Sequence, residues 1–203
     1  MSKLNIKKLI SAVKQLDFYK SSSYRLTGCT SLKTTEIFNP SKILRIGANF
    51  SSFTTRETCQ YIGDLIPKIE EMNNFTKPLN LIYEVDGYQT GDFSEDSSEG
   101  ELIVSVVSKK VKTLYDIIKS VTNWELNYIK SFLVIESPET KKINKVSVEF
   151  TQTVNNNTTK KEKECFSLEI ENNLRKLLKR QFKTIKLEVK SLYQDYWLLT
   201  LSE

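Results

Sequence analysis

Residues 146–203 read VSVEFTQTVNNNTTKKEKECFSLEIENNLRKLLKRQFKTIKLEVKSLYQDYWLLTLSE, and this stretch decides the fold class. Val146, Val148 and Phe150 alternate with Ser147, Glu149 and Thr151. Phe166, Leu168 and Ile170 alternate with Ser167, Glu169 and Glu171, and Ile185, Leu187 and Val189 with Lys186, Glu188 and Lys190. A period of two with one apolar face predicts half-buried strands. Asn155–Lys161 is polar and predicts a hairpin loop between the first two. Leu174, Leu177, Leu178 and Phe182 predict a helix before the third strand, with Asn172 as N-cap. After a turn at Tyr193-Gln194-Asp195, Tyr196–Leu201 is apolar on both faces, which predicts a central or covered strand. The order is strand, strand, helix, strand, strand.

Working outward, Leu79–Asp86 and Glu101–Val107 predict a hairpin around a long acidic loop, 87–100. Val111, Leu114, Ile118 and Val121 predict a helix, and Phe132–Ile135 a strand closed by Ser137-Pro138. A strand-strand-helix-strand unit at 79–135 therefore recurs at 146–192, offset by about 63 residues. Upstream, Ile6, Leu9, Ile10, Val13 and Leu16 predict a basic amphipathic first helix, read as a packed helix ahead of a presequence. Lys42–Gly47 predicts a strand. Thr54-x-x-Glu57 opens a helix with Ile62, Leu65, Ile66 and Ile69 inward, interrupted at Pro67. The fold class is thus α+β: mostly antiparallel sheet with helices packed on one face. The expected division is an N-terminal segment, 1–77, packed on a sheet core, 78–203, with one continuous domain, 1–203, as the alternative. The element order from 79 to 183 resembles that of longin and roadblock subunits of trafficking and adaptor assemblies, which implies a scaffold role.

The 203 residues suffice for a core without covalent staples. Cys29, Cys59 and Cys165 have neither disulfide nor zinc spacing, so they read as reduced thiols. There is no apolar run of about 20 residues, so no membrane partner is expected. The expected setting is intracellular and soluble, in nucleus or cytoplasm, with a mitochondrial address as the lesser reading. The chain contains no histidine. That removes Ser-His-Asp and Cys-His catalysis and most zinc sites. The six glycines are dispersed, so no phosphate-cradling loop is formed. No catalytic, cofactor-binding or metal residue is assigned, and no enzyme activity is expected.

Charge is uneven. Pro78–Ser108 holds seven acids and no lysine or arginine, whereas Asn172–Lys190 holds seven basic residues against Glu188. Arg175, Lys176, Lys179, Arg180, Lys183 and Lys186 form a candidate interaction or nucleic-acid surface, with a solvated helix face as the plain alternative. Two carboxylate pairs on strands, Glu84/Asp86 and Glu169/Glu171, are the candidates for a divalent ion. Glu169-Ile170-Glu171 is similar to the Glu-x-Glu pairs of tunnel-type metal triphosphatases, which implies metal-dependent phosphohydrolysis. The expected function is a non-catalytic subunit or adaptor holding a protein partner in a larger assembly. Nucleic-acid association through the basic surface comes second, and a metal-dependent phosphohydrolase third.

Overall fold

The computed structural model describes residues 3–15, 29–35, 42–51, 55–74, 78–90, 97–122, 128–151, 160–178, 180–189 and 196–203. They form an α+β protein of two compact units, residues 1–108 and 109–203. The expected boundary at 77/78 falls inside the first unit.

The first unit runs α1 (Lys3–Gln15), β1 (Cys29–Thr35), β2 (Lys42–Ser51), α2 (Thr55–Gly63), α3 (Ile66–Asn74), β3 (Leu81–Thr90), β4 (Ser97–Val106). Its sheet has the order β1-β2-β4-β3, antiparallel throughout. The apolar face carries Leu44, Ile46 and Ala48, then Leu102, Val104 and Val106, then Leu81, Tyr83 and Val85, all buried. α2 packs across β2, β3 and β4. The expected interruption at Pro67 is found: α2 ends at Gly63 and α3 starts at Ile66, so the ring sits in the first turn of a new helix, where no N–H is needed. α1 buries Leu9, Ile10 and Val13 against α3 and β2.

The second unit runs α4 (Lys109–Thr122), β5 (Ile129–Glu136), β6 (Ile143–Thr151), α5 (Lys160–Leu178), β7 (Thr184–Val189), β8 (Tyr196–Ser202), with sheet order β5-β6-β8-β7. β8 is central, as its two apolar faces require. Registers align the apolar residues in rows of four: Ile129, Phe150, Trp197, Val189; Phe132, Val148, Leu199, Leu187; Val134, Val146, Leu201, Ile185. Trp197 stacks near-parallel on Phe150, centroids 6.5 Å apart, and meets the edge of Phe166 from α5 at 5.0 Å. Tyr115 of α4 meets Phe132 at 5.2 Å.

Several expectations are corrected. Residues 166–171 are helical, not a strand, and lie inside the 19-residue α5. Phe166, Ile170, Leu174 and Leu178 repeat every four residues and are buried, whereas Leu168 is 58% exposed. The three-residue alternation was incidental to a helical stripe. Asn172 is therefore mid-helix and no cap. Of the hairpin loop expected at 155–161, Lys160 and Lys161 open α5, and 155–159 lie outside the described residues. With that strand gone, the order from 79 to 183 is strand-strand-helix-strand-strand-helix, and the resemblance to longin and roadblock subunits lapses. The acidic loop also shrinks, because β3 and β4 pair out to Thr90 and Ser97.

The repeat has a different period from the one expected. Both units have equivalent sheet order and share the order α-β-β-α-β-β, except that α2 and α3 together stand in the first where α5 stands in the second. Ladder β1–β2 matches β5–β6 at an offset of 100: Leu32↔Ala48 answers Phe132↔Val148, Ile46 answers Val146, and the bulge at Cys29/Ser31 recurs at Ile129/Ser131. β4 answers β8 at an offset of 99, with Leu102 at the place of Leu201. α1 and α4 bury the same pattern, Leu9, Ile10 and Val13 against Leu114, Tyr115 and Ile118.

Candidate functional site

The basic surface read from the sequence is only partly helical. α5 ends at Leu178, whose carbonyl accepts the N–H groups of Gln181 (2.8 Å) and Phe182 (3.2 Å). Arg175 and Lys176 lie in the last turn of α5, where positive charge suits the helix dipole. Arg180 lies in the following turn, Lys183 just before β7 and Lys186 on β7. Lys179 is outside the described residues. Lys186 is held by Glu188 at 2.6 Å, and that hydrogen bond keeps its ammonium above the ordinary lysine range.

Arg175 serves the fold. Its guanidinium donates to the Ile185 carbonyl at 2.8 Å and lies 3.7 Å from Glu171. Glu171 accepts the Leu187 N–H at 2.8 Å, and the Ser167 hydroxyl donates to the Leu187 carbonyl at 2.9 Å. Ser167, Glu171 and Arg175 recur every four residues, so one flank of α5 satisfies the outward backbone groups of the edge strand β7. An edge so occupied cannot template a further strand. Sequence reasoning missed this role, although the i, i+4, i+8 spacing of three polar residues beside a buried stripe was there to be read.

The opposite edge differs. On β5, Phe132 points into the core while Leu133 and Ile135, 57% and 47% exposed, lie on the outer face of the sheet.

Folding also gathers cations that the sequence scatters. Lys110 of α4 donates to the Lys141 carbonyl in the β5–β6 turn at 3.2 Å. Lys145 on β6 stands opposite Ser202 of β8, whose carbonyl accepts the Lys183 N–H at 2.9 Å. The start of α4, the turn 137–142, the start of β6 and the approach to β7 thus share one end of the unit. Exposed lysines 109, 110, 141, 142 and 145 thereby join the end that carries Lys176, Arg180 and Lys183. Among the described residues the acids there are Glu136, Glu139 and Glu203. The first unit has 12 basic and 13 acidic residues and the second 18 and 12, net −1 against +6.

The carboxylate pairs fare differently. Glu84 and Asp86 do share one face of β3, but Glu84 lies 3.9 Å from Lys42, and Asp86 accepts the Gly87 N–H at 2.9 Å. Glu169 and Glu171 sit two apart on a helix, about 200° around its axis, so they cannot grip one ion. The likeness to the metal triphosphatases goes with them. Among the described residues no group of three or more acidic or cysteine side chains could hold a metal ion, and no helix is long and apolar enough to cross a membrane. No family model matches the chain, and no curated protein or solved structure matches it either.

Proposed function

We propose that the chain is a non-catalytic subunit that docks a protein partner on the β5 side of its second unit. The observation that supports this is the unequal treatment of the two sheet edges. β7 is closed by three α5 side chains, whereas β5 presents Leu133 and Ile135 exposed on its outer face. An edge strand with exposed branched apolar residues is the surface to which a partner strand or apolar face adds. Replacing Leu133 and Ile135 with threonine keeps strand propensity and removes the apolar anchor. Native extract passed over the wild-type chain and over this variant, followed by mass spectrometry, is the test. The partner retained by the wild type should be lost by the variant, and identical retention by both would refute the docking site.

A second reading, nucleic-acid association through Arg175, Lys176, Lys179, Arg180, Lys183 and Lys186, draws support from the positive charge of the second unit. Arg175 and Lys186 are engaged within the fold, so this reading needs cations from elsewhere in the unit.

A further inference from the structure

We infer that the gathered basic end of the second unit binds the phosphate backbone of double-stranded nucleic acid, with Lys142, Lys145, Arg180 and Lys183 as contacts. The inference rests on the second reading above and moves its centre from α5 to the strand ends. The α5 cations already have a structural account, in the helix dipole and the β7 edge. Those of the other segments do not, apart from the Lys110 hydrogen bond to the Lys141 carbonyl. Lys109 and Lys110 stand in the first turn of α4, which holds no acidic residue and where positive charge opposes the dipole. Lys142, Lys145, Arg180 and Lys183 are exposed and form no ion pair among the described residues.

Like charges brought together by separate segments repel one another, and a partner of dense negative charge relieves that repulsion. Nucleic acid is the densest such partner, with one charge per roughly 1.7 Å of duplex axis. Lys145 on β6 and Thr184 on β7 both stand opposite Ser202 of β8, so the backbones of Lys145 and of Lys183, which directly precedes Thr184, are about 10 Å apart, two strand spacings. Long lysine side chains at that separation can reach successive phosphates. The large exposed apolar residues described are leucine, isoleucine and valine, with no aromatic among them. Single-strand binders stack bases on aromatic rings, so this end suits the duplex backbone and reads no sequence.

The test is fluorescence anisotropy of a labelled 20-base-pair duplex against salt. About four phosphate contacts give a slope of log K on log salt near −3.6. Three variants are compared: Lys142→Glu/Lys145→Glu at the strand end, Arg175→Glu/Lys176→Glu on α5, and Lys7→Glu/Lys8→Glu in the first unit, with circular dichroism melting to confirm folding. The strand-end variant should weaken binding at least tenfold and flatten the slope by about 2, while the first-unit variant leaves both unchanged. Duplex binding that falls only in the α5 variant would overturn the inference and leave the second reading standing. Equal loss in the first-unit variant would overturn the siting, and no salt-dependent binding by the wild type would overturn both. Poly-glutamate bound as tightly as duplex, and lost in the same variant, would overturn it in favour of an acidic protein. Should the strand-end variant unfold, Lys142→Gln/Lys145→Gln replaces it, with about half the effect expected.

Discussion

Gly100 is the point at which helix and sheet come closest in the first unit, and Gly100→Ala tests the packing there. A Cβ at this position would lie 2.5 Å from both Ile62 Cδ1 and Thr58 Cγ2. Carbon atoms rest at about 3.5–4.0 Å, so each contact is short by at least about 1 Å. Ile62 is fully buried, so its methyl can move only by displacing its neighbours in a close-packed core. Thr58 cannot turn away without cost, because its hydroxyl shares a buried hydrogen bond with Ser98. Overpacking costs about 1–3 kcal/mol, and breaking the hydroxyl pair adds about 1–3. The restricted unfolded chain returns about 0.4–1 kcal/mol, leaving a net loss of about 1–5 kcal/mol, with about 3 at its middle. Gly47, on the neighbouring strand, would meet nothing within 4 Å, so Gly47→Ala is the control and should be neutral or slightly stabilising. Urea unfolding by far-UV circular dichroism reads both. Both tryptophans, Trp124 and Trp197, belong to residues 109–203, so tryptophan fluorescence follows the second unit separately. Gly100→Ala should lower the dichroism midpoint by about 1–2 M urea. Adding Thr58→Ser and Ile62→Val, which remove the two clashing methyls, should recover at least half of it. Equal midpoints for Gly100→Ala and Gly47→Ala would refute the close approach.

Other substitutions probe the rest of the frame. Trp197→Ala should cost about 3–5 kcal/mol in urea unfolding. Trp197→Phe should cost much less, because the indole N–H is buried without a hydrogen-bond partner among the described residues; equal losses would mean that the N–H is bonded. Asn73→Ala should cost about 2–3 kcal/mol, since its side chain both donates to and accepts from the Leu79 backbone at 2.9 Å in a buried site. An unchanged melting temperature would refute that. Lys141→Gly should stabilise by about 1 kcal/mol, because Lys141 holds φ at 55° in the β5–β6 turn, and a lower melting temperature would count against it.

How far the sequence could be read followed from which residues carried two signals. β6 was legible because alternation, β-branching and length agreed over Val146–Thr151, and β8 because Tyr196–Leu201 is a short apolar run, aromatic at its start, that follows a turn. Pro67 was legible because a ring in mid-helix has few outcomes. Phe166-Ser-Leu-Glu-Ile-Glu failed because three alternating apolar residues also fit a helix. The longer series Phe166, Ile170, Leu174, Leu178 spoke for a helix, and so did the Lys- and Glu-rich approach from Lys160. The basic surface was half legible: Arg175 to Lys186 is contiguous, but Lys110, Lys142 and Lys145 join it only through strand pairing and one hydrogen bond. The repeat was hidden because it lies in backbone register. Ser31 and Ser131 or Leu102 and Leu201 coincide, but Gly100 and Ser98 stand where Leu199 and Trp197 fill the second core.

That shared register shows where the outer faces of the two units differ in charge pairing. Arg45 and Lys145 are equivalent positions, and so are Glu101 and Thr200. In the first unit Arg45 is bound to Glu101 across the outer face of the sheet. In the second, the place of that carboxylate is held by a threonine hydroxyl, and Lys145 forms no ion pair among the described residues. Outward positions on a sheet add little to stability, so the frame tolerates either arrangement and the difference is available for binding. Thr200→Glu would install the first unit's pair in the second. The new carboxylate would stand one strand away from Lys145, within reach of its ammonium, and the surface pair should change stability by less than about 1 kcal/mol. If Lys145 contacts a phosphate, pairing it removes one counterion-releasing contact. The salt slope of duplex binding should then flatten by about 0.9, and affinity should fall with melting temperature unchanged. A slope equal to that of the wild type, in a variant that still melts normally, would place the phosphate contacts away from Lys145.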